Sequence, residues 1–171
     1  MKTDSLAGAR KREGDHKTPA GLFRLGAAFG YAPQDEARWI KIPYIALTRD
    51  SEGVDDPKSK FYNRIVERAK IDKPDWKSSE RMFRDDDLYR WGVVIEHNSD
   101  PIVPGAGSCI FLHVWRSPNS ATVGCIAMAQ SELIPLLKWF DPSAKPVLVA
   151  VPKNVYSQLH RDWKLPDLKE R

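Results

Sequence analysis

At 171 residues, 42% hydrophobic and 29% charged, the chain has enough apolar material for one sizeable core, so a single domain over residues 1–171 is expected. No stretch approaches the roughly 18 consecutive apolar residues of a membrane-spanning helix, and Met1 to Gly8 carries a positive residue without the apolar run of a signal peptide. The net charge of +4 comes from Lys and Arg interleaved with acids, as at Glu67-Arg68 and Lys70-Ile71-Asp72-Lys73. That is the pattern of a solvated face, and with no nucleic-acid motif beside it, nucleic-acid binding is not expected.

Residues 1–10 read as flexible. Ala20 to Leu25 and Trp39 to Leu47 read as strands, the second with Ile40, Ile42 and Tyr44 alternating onto one face. Pro43 places that strand at an edge or a bulge. From Thr48 to Ser79 the chain is rich in Asp, Lys, Pro and Ser, with one short helical possibility around Phe61 to Ala69. Such a long insertion is either a lid or substrate wall, or a tolerated surface excursion. Ser79 ahead of Glu80-Arg81 predicts the cap of a short helix running toward Tyr89.

Trp91 to His97 and Ser108 to Val114 predict two antiparallel strands, separated by a turn region with Pro101, Pro104, Gly105 and Gly107. Leu133, Leu136, Leu137 and Phe140 recur at helical spacing, so Ser131 to Phe140 should be a helix on the sheet, with Ser131 as N-cap and Pro135 in its first turns. Pro146 to Val151 predicts a last strand. The polar tail 153–171 carries a possible helix around Val155 to Trp163. The sum is mostly β with a few helices, and short strands with Gly/Pro turns suit a sandwich or barrel better than βαβ units.

The chemistry concentrates at Thr122-Val123-Gly124-Cys125 and at His113 in the apolar run Cys109-Ile110-Phe111-Leu112-His113-Val114. A free thiol is only a few per cent ionised at neutral pH, so a nucleophilic Cys needs an imidazole base nearby. Gly124 allows close approach of substrate to the backbone and leaves the N–H groups around Gly124 and Cys125 to face an oxyanion. The competing account is a Cys that only packs. Cys109 and His113, if on one strand, share a face, which makes Cys109 a buried free thiol; a Cys109–Cys125 disulfide would disable the nucleophile. His97 is either a cleft residue or a hydrogen-bonded structural His, and His16 is an exposed loop residue. The absence of any close ligand pair such as C-x-x-C argues against a metal site. Trp115 and Arg116 follow the base and either shape a pocket, with Arg116 on a peptide carboxylate, or pack and face solvent.

Thr122-Val123-Gly124-Cys125 resembles the [Ser/Thr]-x-Gly-Cys signature of the L,D-transpeptidase catalytic domain, the YkuD family, which builds or trims bacterial peptidoglycan. The stretch Gly14-Asp15-His16-Lys17-Thr18-Pro19-Ala20-Gly21-Leu22-Phe23-Arg24-Leu25 is similar to that family's Gly-(short spacer)-Thr-Pro-x-Gly-x-Phe-x-Leu segment. Asp56-Pro57, Phe61-Tyr62-Asn63-Arg64, Asp87-Leu88-Tyr89, Val93 to Asn98 and Pro104 to His113 resemble the short single-domain branch. The resemblance departs at Ala127, where many members carry Arg, and at Thr18, which family domains precede with one or two strands. It implies a sandwich-like or barrel-like sheet, with the family's N-terminal strands either kept or lacking.

The implied site has Cys125 as nucleophile and His113 as base, with a carbonyl near Val114 orienting the imidazole and Gly124 and Cys125 lining the oxyanion position. Thr122, Arg116 and His97 are the implied orienting or substrate-binding residues. The implied partner is a peptidoglycan stem peptide, handled outside the cytoplasm by a monomer without cofactor or metal. The implied reaction is L,D cross-linking through a thioester. The alternatives are a carboxypeptidase or amidase that uses water, and a non-catalytic wall-binding module.

Overall fold

The computed structural model describes residues 10–168, so expectations for residues 1–9 and 169–171 lie outside the described part. Among the described residues, nine strands arranged in two sheets are accompanied by two α-helices. The larger sheet runs in the order β2 (Tyr44–Ala46), β1 (Gly21–Gly30), β6 (Trp91–Ile95), β7 (Phe111–Val114), β8 (Ile126–Met128), and β9 (Val147–Ala150) pairs with the first half of β1. The β1–β2 and β7–β8 pairs are parallel and the rest antiparallel, including the expected β6–β7 pair. The smaller sheet is β4 (Arg64–Glu67), β3 (Ser51–Val54) and β5 (Ser79–Arg81), in that order.

Alternation along β1, β6 and β7 sorts their side chains to two faces. On one face Ala28, Val93, Ile95 and Leu112 meet Leu133, Leu137 and Phe140 of α1 (Gln130–Trp139) or of its end. On the other, Phe29, Val94 and Phe111 meet Leu47, Met82, Tyr89 and Cys109. The domain is therefore a mostly β body, with α1 on one side of the main sheet and the insertion on the other. Leu137 is fully buried, so Leu137→Ala should cost about 2–5 kcal/mol of stability in a urea titration. A loss below about 1 kcal/mol would mean that the α1 face is not a sealed core.

Several predicted elements differ. Trp39 ends a turn, residues 40–43 are irregular chain, and strand pairing begins only at Tyr44; Ile40 and Ile42 are buried as their pattern suggests, but in the wall beside an edge strand. The Pro43 carbonyl accepts from Ala28 N at 2.8 Å, while its ring nitrogen has no hydrogen to give a ladder. Phe61 to Ala69 forms no α-helix: Asn63 sits at φ +60, the chain then pairs with β3 as β4, and only a short 3-10 turn at Arg68–Lys70 follows. Ser79 caps no helix, since it opens β5 and its hydroxyl donates to Glu52 Oε2 at 2.8 Å.

The N-cap of α1 is Ala129, two residues before the expected Ser131, which lies inside the helix. Pro135 therefore lies beyond the first turn and removes one helical hydrogen bond, on a solvent-facing position. The tail helix α2 is Lys153–Leu159, earlier and shorter than expected. Cys109 precedes β7 and has φ +51, so strand alternation does not govern it, although it is buried and free as expected.

The insertion is exposed over much of its length but is tied to the core at specific points. Asn63 Nδ2 donates to the carbonyls of His97 and Asn98 at 3.0 and 2.8 Å, and its Oδ1 accepts from Cys109 N at 2.9 Å. One side chain thus fastens the small sheet to the loop ahead of β7. Met82 and Tyr89, just beyond the insertion, complete the second face of the core.

Candidate active site

His113 and Cys125 are positioned by β7 and β8. Phe111 faces the insertion, so His113, two residues on, faces it too; Leu112 and Val114 turn to the α1 side. On β8, Ile126 and Met128 also turn to the α1 side, which leaves Cys125 and Ala127 facing the insertion. The parallel register pairs His113 with Ala127. Cys125 therefore lies on a diagonal from His113, about one strand spacing across (~4.8 Å) and two residues along (~6.6 Å).

His113 is buried at 6% exposure, and its Nδ1 lies 2.7 Å from the Val114 carbonyl oxygen. A carbonyl only accepts, so Nδ1 holds the hydrogen and Nε2 presents a lone pair. Burial is the largest influence on this imidazole and pushes its pKa below the ordinary value; the Val114 carbonyl opposes that shift. His113 is consequently a neutral base around pH 7.

The Cys125 sulfur accepts from Phe111 N at 3.4 Å and approaches the Cys109 carbonyl oxygen at 3.5 Å. Its pKa is pushed up to about 12, first by burial and then by the Glu80 carboxylate, against the lowering effect of Phe111 N–H and the Tyr89 hydroxyl. The resting pair is thus a neutral thiol and a neutral imidazole on one face, with no hydrogen bond formed between them. Such contacts often tighten only when substrate binds.

Thr122 organises the loop between the strands. Its Oγ1 donates to the Cys125 carbonyl at 2.6 Å and accepts from Gly124 N at 3.4 Å. Gly124 N–H is therefore partly engaged, whereas Cys125 N–H meets no acceptor among the described residues and is the better oxyanion donor. Gly124 has φ +133, and a Cβ there would lie 3.1 Å from the Lys17 carbonyl oxygen. The Lys17-Thr18-Pro19 segment thus rests directly on the cysteine loop. Gly124→Ala should cost about 1–3 kcal/mol of strain and at least tenfold in thiol acylation, measured by thermal melting and by intact mass. A fully active, equally stable alanine variant would show that the backbone here is free to shift.

The other sequence-derived candidates lie farther out. Arg116 is exposed and donates to Asp86 Oδ2 at 3.3 Å; Arg84 holds the same carboxylate through Nε and Nη2 at 2.8 and 2.6 Å. His97 Nε2 lies 2.8 Å from the Ala106 carbonyl oxygen and its ring stacks edge-on to Phe23, an arrangement that braces the 98–107 loop. Two surface hollows lie elsewhere, around Ile42, Pro43 and Pro142, and neither is lined by Cys125 or His113.

Tyr89 and Glu80 are site residues that the sequence did not single out for chemistry. The Tyr89 ring lies 5.2 Å from the His113 ring and 5.7 Å from that of Phe111, and its hydroxyl donates to Glu80 Oε2 at 2.8 Å. Its only sequence signal was membership of Asp87-Leu88-Tyr89, a segment shared with the family branch.

A part-buried thiol just ahead of β8 and an oriented imidazole on the adjacent parallel β7, with an N–H at the thiol that is unpaired among the described residues, define a site suited to acyl transfer through sulfur. The family model described as the L,D-transpeptidase catalytic domain, YkuD, matches residues 5–149, and the chain belongs to that family. The mostly β architecture agrees with that domain. No curated protein and no solved structure matches the chain. The family acts on peptidoglycan, and among the described residues no helix is long and apolar enough to cross a membrane.

Proposed function

We propose that this chain is a cysteine acyltransferase that forms L,D cross-links between peptidoglycan stem peptides through a thioester on Cys125. The observation that carries the reading is the pair itself: a thiol and an imidazole on the same face of β7 and β8, the imidazole already tied through Nδ1 to Val114. His113 Nε2 takes the thiol proton as Cys125 Sγ bonds to the carbonyl carbon of an L-configured centre in the donor stem. The oxyanion faces Cys125 N–H, with Gly124 allowing close approach. Collapse breaks the bond to the terminal D-residue, whose amine nitrogen takes the proton from His113. An amine of a second stem then gives a proton to His113 and bonds to the thioester carbon, the carbon–sulfur bond breaks, and the departing Cys125 sulfur takes that proton from His113. Work outside the cytoplasm as a monomer, with no cofactor, belongs to the same proposal.

Arg116 and Arg84, joined by Asp86, form the cationic rim nearest the base and are suited to a stem-peptide carboxylate. Thr122 holds the nucleophile loop in shape, and His97 acts at a distance by bracing its neighbour loop. The decisive test incubates the protein with a disaccharide tetrapeptide and follows products and protein by mass spectrometry. Cross-linked dimer with released D-residue, and a thioester mass on Cys125, is the expected result. Tripeptide alone would make the chain a carboxypeptidase that resolves the thioester with water. Neither product nor thioester would leave a wall-binding module.

A further inference from the structure

Among the described residues, Glu80 is the acidic side chain that bonds to the tyrosine shared by nucleophile and base. Its cross-strand neighbour in the small sheet is Gly53, where a Cβ would lie 3.2 Å from Glu80 Cγ and 3.1 Å from Cys109 Sγ. A glycine at that point leaves room for the carboxyl group to turn inward. There it accepts the Tyr89 hydroxyl at 2.8 Å, and Tyr89 in turn packs on Phe29, Phe111 and His113. Tyr89 and Cys125 pack in the same cluster around Phe111, whose N–H reaches the Cys125 sulfur at 3.4 Å, and the Tyr89 hydroxyl lowers the Cys125 pKa. One phenol thus stands between a carboxyl group and the sulfur, with a single hydrogen to give.

We propose that Glu80 and Tyr89 are positioning residues that set how readily Cys125 becomes an anion. As a carboxylic acid, Glu80 donates its hydrogen to Tyr89 Oη, and Tyr89 turns its own O–H onto the Cys125 sulfur. As a carboxylate, Glu80 takes the Tyr89 hydrogen bond for itself and sets a negative charge near the sulfur. No bond other than these hydrogen bonds changes, and one proton added to or lost from Glu80 accounts for both states. The inference rests on Cys125 being the nucleophile.

The surroundings favour the acid form near neutrality. Glu80 is raised to about 7, first by burial, with Tyr89 and Arg84 lowering it and Asp55 raising it. Arg84 is the only cation among those influences, and Asp86 already holds its guanidinium with both oxygens. Asp55, at the end of β3, is a second acid with a buried Oδ1 that meets no partner among the described residues. Cys109 and Cys125 face Glu80 from the larger sheet, both held above the ordinary thiol value chiefly by burial, and Lys11 reaches Cys125 weakly from the N-terminal segment. The Tyr89 phenol is raised well above its usual range by burial and by Glu80, so it remains a donor throughout.

The test compares wild type, Glu80→Gln and Tyr89→Phe in two assays across the pH range. One is single-turnover release of the terminal D-residue from the disaccharide tetrapeptide; the other is iodoacetamide alkylation located at Cys125 by peptide mass, which needs no substrate. Wild-type acylation should fall as pH rises through about 7. Glu80→Gln, locked in the neutral state, should lose that fall and alkylate faster than wild type at about pH 8. It should also melt higher than wild type at that pH and equally near about pH 4. A carboxyl whose folded pKa is raised burdens the fold increasingly above its unfolded pKa, and fully above the folded one. Tyr89→Phe should lose about 10- to 100-fold in acylation and alkylate more slowly, as expected for removing a donor to an anion. A Glu80→Gln variant with the wild-type pH profile and alkylation rate would overturn the proposal while leaving the transpeptidase reading intact. Altered alkylation with no turnover in any variant would do the reverse.

Discussion

Cys125→Ala should abolish thioester formation and lower release of the terminal D-residue by more than about 10³-fold. Cys109→Ala, tested beside it, should keep both. The two cysteines are 16 residues apart and close in space, yet they differ in surroundings: Cys109 is buried with its sulfur toward the Val54 carbonyl, and Cys125 is only part-buried on the loop that ends at β8. Of the two, Cys125 combines an unpaired N–H with a face shared by His113. Cys125→Ser serves as a size-matched control and should also be inactive, since a hydroxyl is far less easily ionised than a thiol in the same half-buried place. Acylation retained in Cys125→Ala, or lost only in Cys109→Ala, would remove Cys125 from the chemistry.

His113→Asn should lower acylation by about 10²- to 10⁴-fold and remove the acid limb of the pH profile. Burial lowers the His113 pKa from its ordinary value of 6.5, and only the neutral ring can take the thiol proton, so wild-type activity should disappear in an acid limb that lies on the low side of 6.5. The same shift bears on stability. A His whose folded pKa lies below its unfolded one leaves the fold unpenalised above about pH 6.5 and weakens it as pH falls from there. His97 is lowered in the same direction, again first by burial, so acid sensitivity of folding is shared by two residues and the kinetic limb is the specific readout. A His113→Asn variant with an unchanged acid limb would assign that limb to another group.

The elements read most easily were those whose own residues carry a period. Trp91 to Ile95 and Phe111 to Val114 are continuous apolar runs with turn residues between them, and Leu133, Leu137 and Phe140 mark one helix face; all three became structure close to where they were expected. The small sheet was missed for a physical reason. Its strands are three or four residues long, and Glu52, Arg64, Glu67 and Glu80 supply no apolar alternation. Their pairing is selected by contacts made across the fold, such as Asn63 on Cys109 and Glu52 on Trp76 Nε1.

Cys125, His113, Gly124 and Thr122 stood out as candidates in the sequence because a nucleophile, its base and a permissive turn have fixed chemical types and fall within one short stretch of chain. Residue types alone said nothing of protonation or of neighbours. Burial keeps the thiol and the imidazole neutral at rest, and burial is a property of the assembled layers. Glu80 and Tyr89 come from the stretch just after the insertion and lie near the sulfur only because that stretch folds onto the Phe111 face of the main sheet. Local chemistry was written along the chain; the electrostatic setting of that chemistry arose from packing between segments that lie far apart in it.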